Sequence, residues 1–261
     1  MTAGARDLPG ATTMADLIIP EPAVMVDGVS RRFGNLEAVS AVSFQVEKGT
    51  IFGLIGSDGA GKSTLLRMIA SMIPPTAGSI RIHALDVVTQ KNQIKQIIGY
   101  MPQRFGLYQD LTVMENLTFF MDIFGIFGQE RKERRERYLG FSNLLPFTDR
   151  LAGDLSGGMK QKLGLACVLV HEPQVLILDE PTNGVDPVSR QEFWDILTQM
   201  RDEGMTILVS TAYLDEGEKC NRLALMHQSR ILDIAAPAEI RASFPNLEEA
   251  MIQRIQEAGK G

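Results

Sequence analysis

Between positions 56 and 63 the chain reads Gly56-Ser57-Asp58-Gly59-Ala60-Gly61-Lys62-Ser63, and this octet constrains the fold more than any other stretch. It fits G-x-x-x-x-G-K-[ST] at every fixed position. The apolar run Ile51 to Ile55 precedes it and a helical run, Lys62 to Met72, follows it. That is the strand, loop and helix setting the motif requires. Glycines let the backbone curl until several N–H groups face one anion, and the helix adds its positive N-terminal end. Lys62 can then reach the β and γ phosphates of a nucleotide, and the Ser63 hydroxyl can ligate Mg²⁺. A plain glycine turn before a helix would explain neither Lys62 nor Ser63. The octet is read as a nucleotide site.

A second signal lies downstream, where Val175-Leu176-Ile177-Leu178 runs into Asp179-Glu180. This is the pattern of a buried strand ending in two acids. In a parallel sheet, ligands sit beyond the carboxyl ends of the strands, which brings both acids beside the phosphate loop. Successive strand side chains point in opposite directions, so the two acids can differ in task. Asp179 suits a Mg²⁺ shell, and Glu180 suits polarisation of an attacking water.

The remaining pattern gives the frame. Strands are expected at Val39 to Val46, Ile97 to Met101, Thr206 to Ser210 and Arg222 to Met226. Helices are expected from about Val113 to Leu145, Met159 to Val170 and Ser189 to Arg201. Strands separated by helices imply an α/β fold with a largely parallel sheet and helices on its faces. Residues 1–22, rich in Ala, Thr, Gly and Pro, read as a flexible leader, and the packed domain is expected over 23–240. Positions 241–261 are read as a C-terminal amphipathic helix, with Leu247, Ala250, Met251, Ile255 and Ala258 on one stripe.

Composition narrows the class. Apolar residues make up 44% of the 261 and charged residues 22%, which fits a globular chain and excludes a disordered or collagen-like one. The longest strictly apolar run near the middle, Leu165 to Val170, falls far short of the roughly 18 residues of a membrane helix. The start shows no secretory signal pattern. A net charge of -6 argues against nucleic acid as a direct partner, because phosphate binding favours a basic excess. The two cysteines match no metal-ligand spacing, and Cys167 reads as a buried thiol in a reducing compartment. The charged run Arg131 to Arg137 carries interleaved glutamates and reads as a solvated helix face. The methionines, Met68, Met72 and Met121 among them, read as core filling.

Leu155-Ser156-Gly157-Gly158-Met159-Lys160-Gln161 stands ahead of the acid-tipped strand at a helix start. With the phosphate loop and the carboxylate strand, this order resembles the ATP-binding-cassette ATPase family, whose L-S-G-G-x-x-Q signature appears here. The resemblance runs from Ala23 to about Ala235. It implies a P-loop NTPase core with a mostly parallel sheet, an N-terminal antiparallel β portion and a helical subdomain at about 104–165. It also implies that Ser156, Gly157 and Gly158 bind the γ-phosphate of ATP held by a second ATP-binding subunit. Ser156, Gly158 and a helix N-terminus can indeed form a second anion site. By the same resemblance Phe33 stacks on adenine and Thr64 lies near the α-phosphate. Gln103 touches Mg²⁺ and moves with a transmembrane permease, and Asp186 reaches across the dimer.

Three departures from the family pattern stand out. Ser57-Asp58 replaces the usual Pro-Asn, with side chains expected to point away from phosphate. Val185 replaces a leucine. Ala212, in Ser210-Thr211-Ala212-Tyr213, occupies the place of a histidine that contacts the γ-phosphate and steadies the attacking water. His171, His83 and His227 are read as packing or surface residues rather than substitutes. With Glu180 present, slow hydrolysis is expected. The resemblance thus implies an ATP-hydrolysing subunit on the cytoplasmic face of a membrane, driving a separate permease by ATP-dependent dimerisation. The segment Gly99 to Gln103 and the short C-terminus resemble the multidrug and ion-export branch. Two alternatives stay open. One is an ATP clamp paired with an active sister subunit, and the other is a cassette ATPase without a transport role.

Overall fold

The computed structural model describes residues 21–259; all of the expected leader except Glu21 and Pro22 lies outside the described residues. The elements run as β1 (Val24–Phe33), β2 (Leu36–Val46), β3 (Ile51–Ile55), α1 (Lys62–Ile69), β4 (Ala77–Ile82), β5 (Leu85–Asp86), α2 (Lys91–Ile97) and β6 (Ile98–Met101). Next come α3 (Val113–Ile123), α4 (Gly128–Phe141), α5 (Gly157–Leu169), β7 (Val175–Asp179), α6 (Pro187–Asp202) and β8 (Thr206–Thr211). The chain closes with α7 (Leu214–Gly217), β9 (Arg222–His227), β10 (Arg230–Ala235), α8 (Pro237–Ser243) and α9 (Leu247–Ala258).

Six strands form the central sheet in the order β10-β9-β3-β8-β7-β6. Pairing is parallel from β9 to β6, and β10 joins the edge antiparallel. Strands β3, β7 and β8 are buried along their whole length, as expected for a parallel sheet covered on both faces. Their residues alternate between two cores. Leu176, Leu178, Ile207 and Val209 face the helices α3 to α6. Val175, Ile177, Leu208, Phe52 and Leu54 face α1 and the second sheet. That second sheet, ordered β2-β1-β4-β5, is antiparallel throughout.

Several boundaries differ from the pattern-based expectation. The helix after the phosphate loop stops at Ile69, because Ser71 takes a left-handed φ of 59° and Pro74-Pro75 follow. Met72 is consequently exposed rather than core filling, whereas Met68 and Met121 are buried. The strand expected over Ile97 to Met101 begins at Ile98, since α2 runs through Ile97. Strands β1 and β10 carry no simple alternation, β4 alternates only over Ile80 to Ile82, and β5 is two residues long. Bulges in β1 near Gly28 and in β10 interrupt the period-2 pattern. At the C-terminus, Arg241 to Ser243 finish α8, and the amphipathic helix starts at Leu247 behind an Asn246 cap. Leu247, Ala250 and Met251 dock against Leu223, Leu225 and Ile55, while Ala258 is exposed.

Within the helical subdomain a buried polar side chain holds a loop that apolar packing alone would not. Asn116 of α3 is fully buried. It accepts from the Tyr108 N–H at 2.9 Å and donates to the carbonyls of Tyr108, Leu111 and Thr112 at 3.0 to 3.2 Å. The charged run Arg131 to Arg137 in α4 lies at the surface, with Lys132, Glu133, Glu136 and Arg137 exposed and Arg131, Arg134 and Arg135 half-buried. Arg131 pairs with Asp122, Arg134 with Glu130 and Glu172, and Arg137 with Glu172 and Glu203. Substitution of Asn116 by alanine strips the Tyr108 loop of these bonds. It is expected to lower stability by about 1–3 kcal/mol, read as an earlier urea midpoint; an unchanged midpoint would show that the loop is held elsewhere.

Candidate functional site

The in-register parallel pairing of β3, β8 and β7 brings three loops to one end of the sheet. The Gly56 N–H donates to the Thr211 carbonyl, and the Glu180 N–H donates to the Ser210 carbonyl at 3.1 Å. The phosphate loop is thereby pinned to the end of β8, and so is the acid-tipped end of β7. Close packing dictates glycine at position 61. Its φ is +106°, and a Cβ there would stand 2.4 Å from the Ala38 carbonyl oxygen. Gly61 also supplies no side-chain cap to α1, so the first-turn N–H groups of the helix face the hollow above the loop. Leu36, Glu37 and Ala38 of β2, Lys62 to Thr64, Glu180 and Ser229 line that hollow.

At this end of the sheet Lys62, Ser63, Gln103, Asp179 and Glu180 are joined by direct bonds. Lys62, 3% exposed, donates to the carbonyls of Gly56 (2.7 Å) and Ser57 (3.1 Å) and pairs with Glu180 at 3.0 Å. Ser63 Oγ donates to Asp179 Oδ1 at 2.7 Å. Gln103 Nε2 donates to Glu180 Oε2 at 3.0 Å. Hydroxyl, amide and carboxylate oxygens of Ser63, Gln103 and Asp179 are the hard donors that Mg²⁺ takes, with one carboxylate and the rest left to phosphate and water. Among the described residues no cluster of three His, Cys, Asp or Glu groups could hold a metal, and this donor set is of a different kind.

Three residues of the junction carry no signal in the motif pattern. Ser210 Oγ donates to Asp179 Oδ1 at 2.9 Å and accepts from the Glu180 N–H at 3.1 Å. Asn183 Nδ2 donates to Glu180 at 3.3 Å. The Tyr100 hydroxyl lies 3.5 Å from Asp179, and its pKa is pushed up by burial and by that carboxylate. Glu180 itself holds a φ of 49°, a left-handed conformation unusual for a non-glycine residue.

The other predicted residues lie apart from the hollow. Phe33 closes β1 and is 45% exposed, with the Arg31 guanidinium 4.5 Å from its ring centroid. Ser156 caps α5 by accepting from the Met159 N–H. Gly157 is open on all sides, while a Cβ on Gly158 would stand 2.4 Å from Ser189 Cβ. The signature turn therefore packs against the start of α6. There Asp186 is the cap, accepting from the N–H groups of Val188 and Ser189. Ser156 to Gly158 and Asp186 thus form a second cluster, distinct from the lining of the phosphate hollow. Ala212 borders a smaller hollow with Asp58, Glu180, Asn183, Thr211 and Tyr213. His171 stacks on Phe124 and bonds the Ile98 carbonyl. Cys167 is buried with its pKa raised, and burial with Glu216 pushes the Cys220 thiol up to about 12.

Fold, loop and acid-tipped strand define a P-loop nucleotide-binding protein. A family model described as ABC transporter matches residues 39–183. The probable multidrug ABC transporter ATP-binding protein YbhF of Escherichia coli K12 is 48% identical over 211 residues, 80% of this chain and 36% of that protein. This chain therefore spans about a third of that relative's length. Nod factor export ATP-binding protein I of Paraburkholderia xenovorans is 38% identical over 86% of this chain and 74% of its own length. A solved ATP-binding subunit of an ABC transporter superposes with a TM-score of 0.79 at 27% identity, covering 89% of this chain and 99% of that one. The chain belongs to the ABC transporter family.

The Asp186 cap gives a pH test of the second cluster. Hydrogen bonds from Ser189 and Val188 hold its carboxyl below the ordinary value of 3.8. Its contribution is therefore present above the unfolded-state pKa and is lost as pH falls through the lower folded-state one. Asp186→Asn keeps a cap without the charge. The stability gap between wild type and Asp186→Asn, measured by urea unfolding, is expected to close as pH falls below about 4. A gap that persists unchanged to pH 3 would show that the charge contributes nothing.

Proposed function

We propose that this chain is the ATP-binding and ATP-hydrolysing subunit of a membrane exporter, working as one of two cassettes beside a separate transmembrane permease. The observation that carries the proposal is the junction of Lys62, Ser63, Gln103, Asp179 and Glu180 at one end of the sheet. In this reading ATP is the substrate. Its phosphates take the Lys62 ammonium from the Gly56 and Ser57 carbonyls, and the N–H groups of Gly59 to Thr64 cradle them. Phe33 offers its exposed ring to the adenine. Ser63, Gln103 and Asp179 would hold Mg²⁺, which supplies charge neutralisation on the phosphates when bound. Glu180, aimed by Gln103 and Asn183, orients the attacking water and accepts its proton.

The second cluster completes the site in trans. Ser156, Gly157 and Gly158 with the start of α5 form an anion-binding turn, and in one chain this turn lies outside the hollow's lining. A head-to-tail pair would bring it over the ATP of the partner subunit, with Asp186 beside it. ATP-driven closure of that pair, transmitted through Gln103 and the helical subdomain at about 104–165, would drive the permease. The cassette over 23–240 and the C-terminal helix within 241–261 are the corresponding divisions. The names of the relatives support export. Among the described residues no helix is long and apolar enough to cross a membrane. With the relatives' names this supports a place at the cytoplasmic face, held by the permease.

Glu180→Gln is expected to trap an ATP-bound dimer, seen as a shift in gel filtration with ATP and Mg²⁺; a monomer at saturating nucleotide would overturn the paired site. Ala212 favours a second reading, an ATP clamp with little turnover beside an active sister subunit. Because position 212 borders the hollow next to Glu180, Ala212→His is expected to raise ATP turnover several-fold. An equal or lower steady-state rate would remove residue 212 as the cause of slow hydrolysis.

A further inference from the structure

Glu216 lies in α7, on the segment that leaves the end of β8 beyond Ala212, and it is fully buried. A carboxylate taken out of water is destabilising unless hydrogen bonds and an opposite charge compensate it. Two other elements supply that compensation. Thr182 Oγ1 donates to Glu216 Oε1 at 2.6 Å, and Nε of Arg190 in α6 stands 3.8 Å from the same oxygen. Arg190 in turn lies 4.1 Å over the Tyr213 ring and 3.6 Å from Asp215. The second carboxylate oxygen is buried with no hydrogen-bond partner. An apolar side chain would fill this space with less desolvation, so packing alone gives no reason for an acid here.

The bond to Thr182 does. Thr182 is buried and sits in the middle of the loop that begins with Glu180 and ends with the Asp186 cap. Turn bonds from Asn183 to Glu180 and from Val185 to Thr182 set that loop's local shape. The Glu180 N–H, bonded to the carbonyl and hydroxyl of Ser210, holds only the head of the loop to β8. The left-handed backbone of Glu180 persists where the surroundings over-determine it, and the bond from Thr182 anchors the middle of the loop as well. We propose that Glu216 is a positioning residue. Through Thr182 it locks the loop bearing Glu180 and Asp186 to the segment bearing Ala212, so the two sides of the site move as one piece. This rests on the ATPase reading above.

Thr182→Val keeps shape and removes the donor. It is expected to lower kcat for ATP about tenfold with KM within about twofold of wild type, the signature of lost positioning rather than lost binding. Thr182→Ser, which restores the hydroxyl, is expected to recover at least about half of the wild-type kcat. A Thr182→Val kcat within about twofold of wild type, or a loss carried entirely by KM, would overturn the role. Amide hydrogen exchange supplies a readout independent of turnover. In Thr182→Val, exchange over residues 182–186 is expected to speed up about tenfold while protection in α5 holds. Unchanged exchange over 182–186 would end the proposal whatever the turnover. Absence of ATP hydrolysis by the wild-type chain would instead fall on the ATPase reading, and the exchange comparison would then decide the tether by itself.

Discussion

The parallel pairing of β3 with β8 and of β8 with β7 is the constraint on which the rest of the molecule depends. Ile51 to Ile55 pairs with Ile207 to Thr211, and Val175 to Asp179 pairs with Thr206 to Ser210, each without a slip. Parallel register ends the strands on one level, so the loops that leave them emerge on the same side of the sheet. The phosphate loop, the Glu180 loop and the Ala212 segment are brought together by this register alone. The backbone bonds from Gly56 to Thr211 and from Glu180 to Ser210 then fix their spacing. A slip of one residue in β7 would turn Leu176 and Leu178 out of one core and carry Asp179 away from Ser63.

The junction that register assembles is built around a buried ion pair. Lys62 and Glu180 are both almost entirely buried, and they face each other at 3.0 Å. Charges so placed are stable only with the further hydrogen bonds that Gly56, Ser57, Gln103 and Asn183 supply. Such a cluster is poised to exchange internal partners for an anion of higher charge, which is the physical basis for reading it as a phosphate site. Ala212 brings no donor to the smaller hollow on the other side of Glu180, and no histidine among the described residues borders that hollow.

Much of this was legible in residue order. The buried strands β3, β7 and β8 read as unbroken apolar runs, and Lys62, Ser63, Asp179 and Glu180 follow from the loop motif and the acid-tipped strand. Strands β1 and β10 escaped because bulges and half-exposed positions break their alternation, and β4 and β5 because too few of their residues are buried or paired to show a period. Met72 read as core, yet Ser71 turns the chain left-handed and throws it into solvent. Ser210, Tyr100, Asn183 and the Thr182–Glu216 tie gave no motif signal. Each acts through a neighbour tens of residues away or across a turn, and their residue types are ordinary.

The sequence by itself determined the class of fold and the chemistry of the loop. A glycine-rich turn with Lys62 and Ser63, set between an apolar strand and a helix, has few other physical explanations. The tertiary structure decided the geometry: that Glu180 faces Lys62, that Gln103 reaches back to Glu180, and that Ser156 to Gly158 pack beside Asp186 instead of over the phosphate loop. The physical reason is that motifs are local, whereas hydrogen bonds between strand ends depend on register and on which core each residue enters. Those are properties of the packed sheet, and no single stretch of the chain carries them.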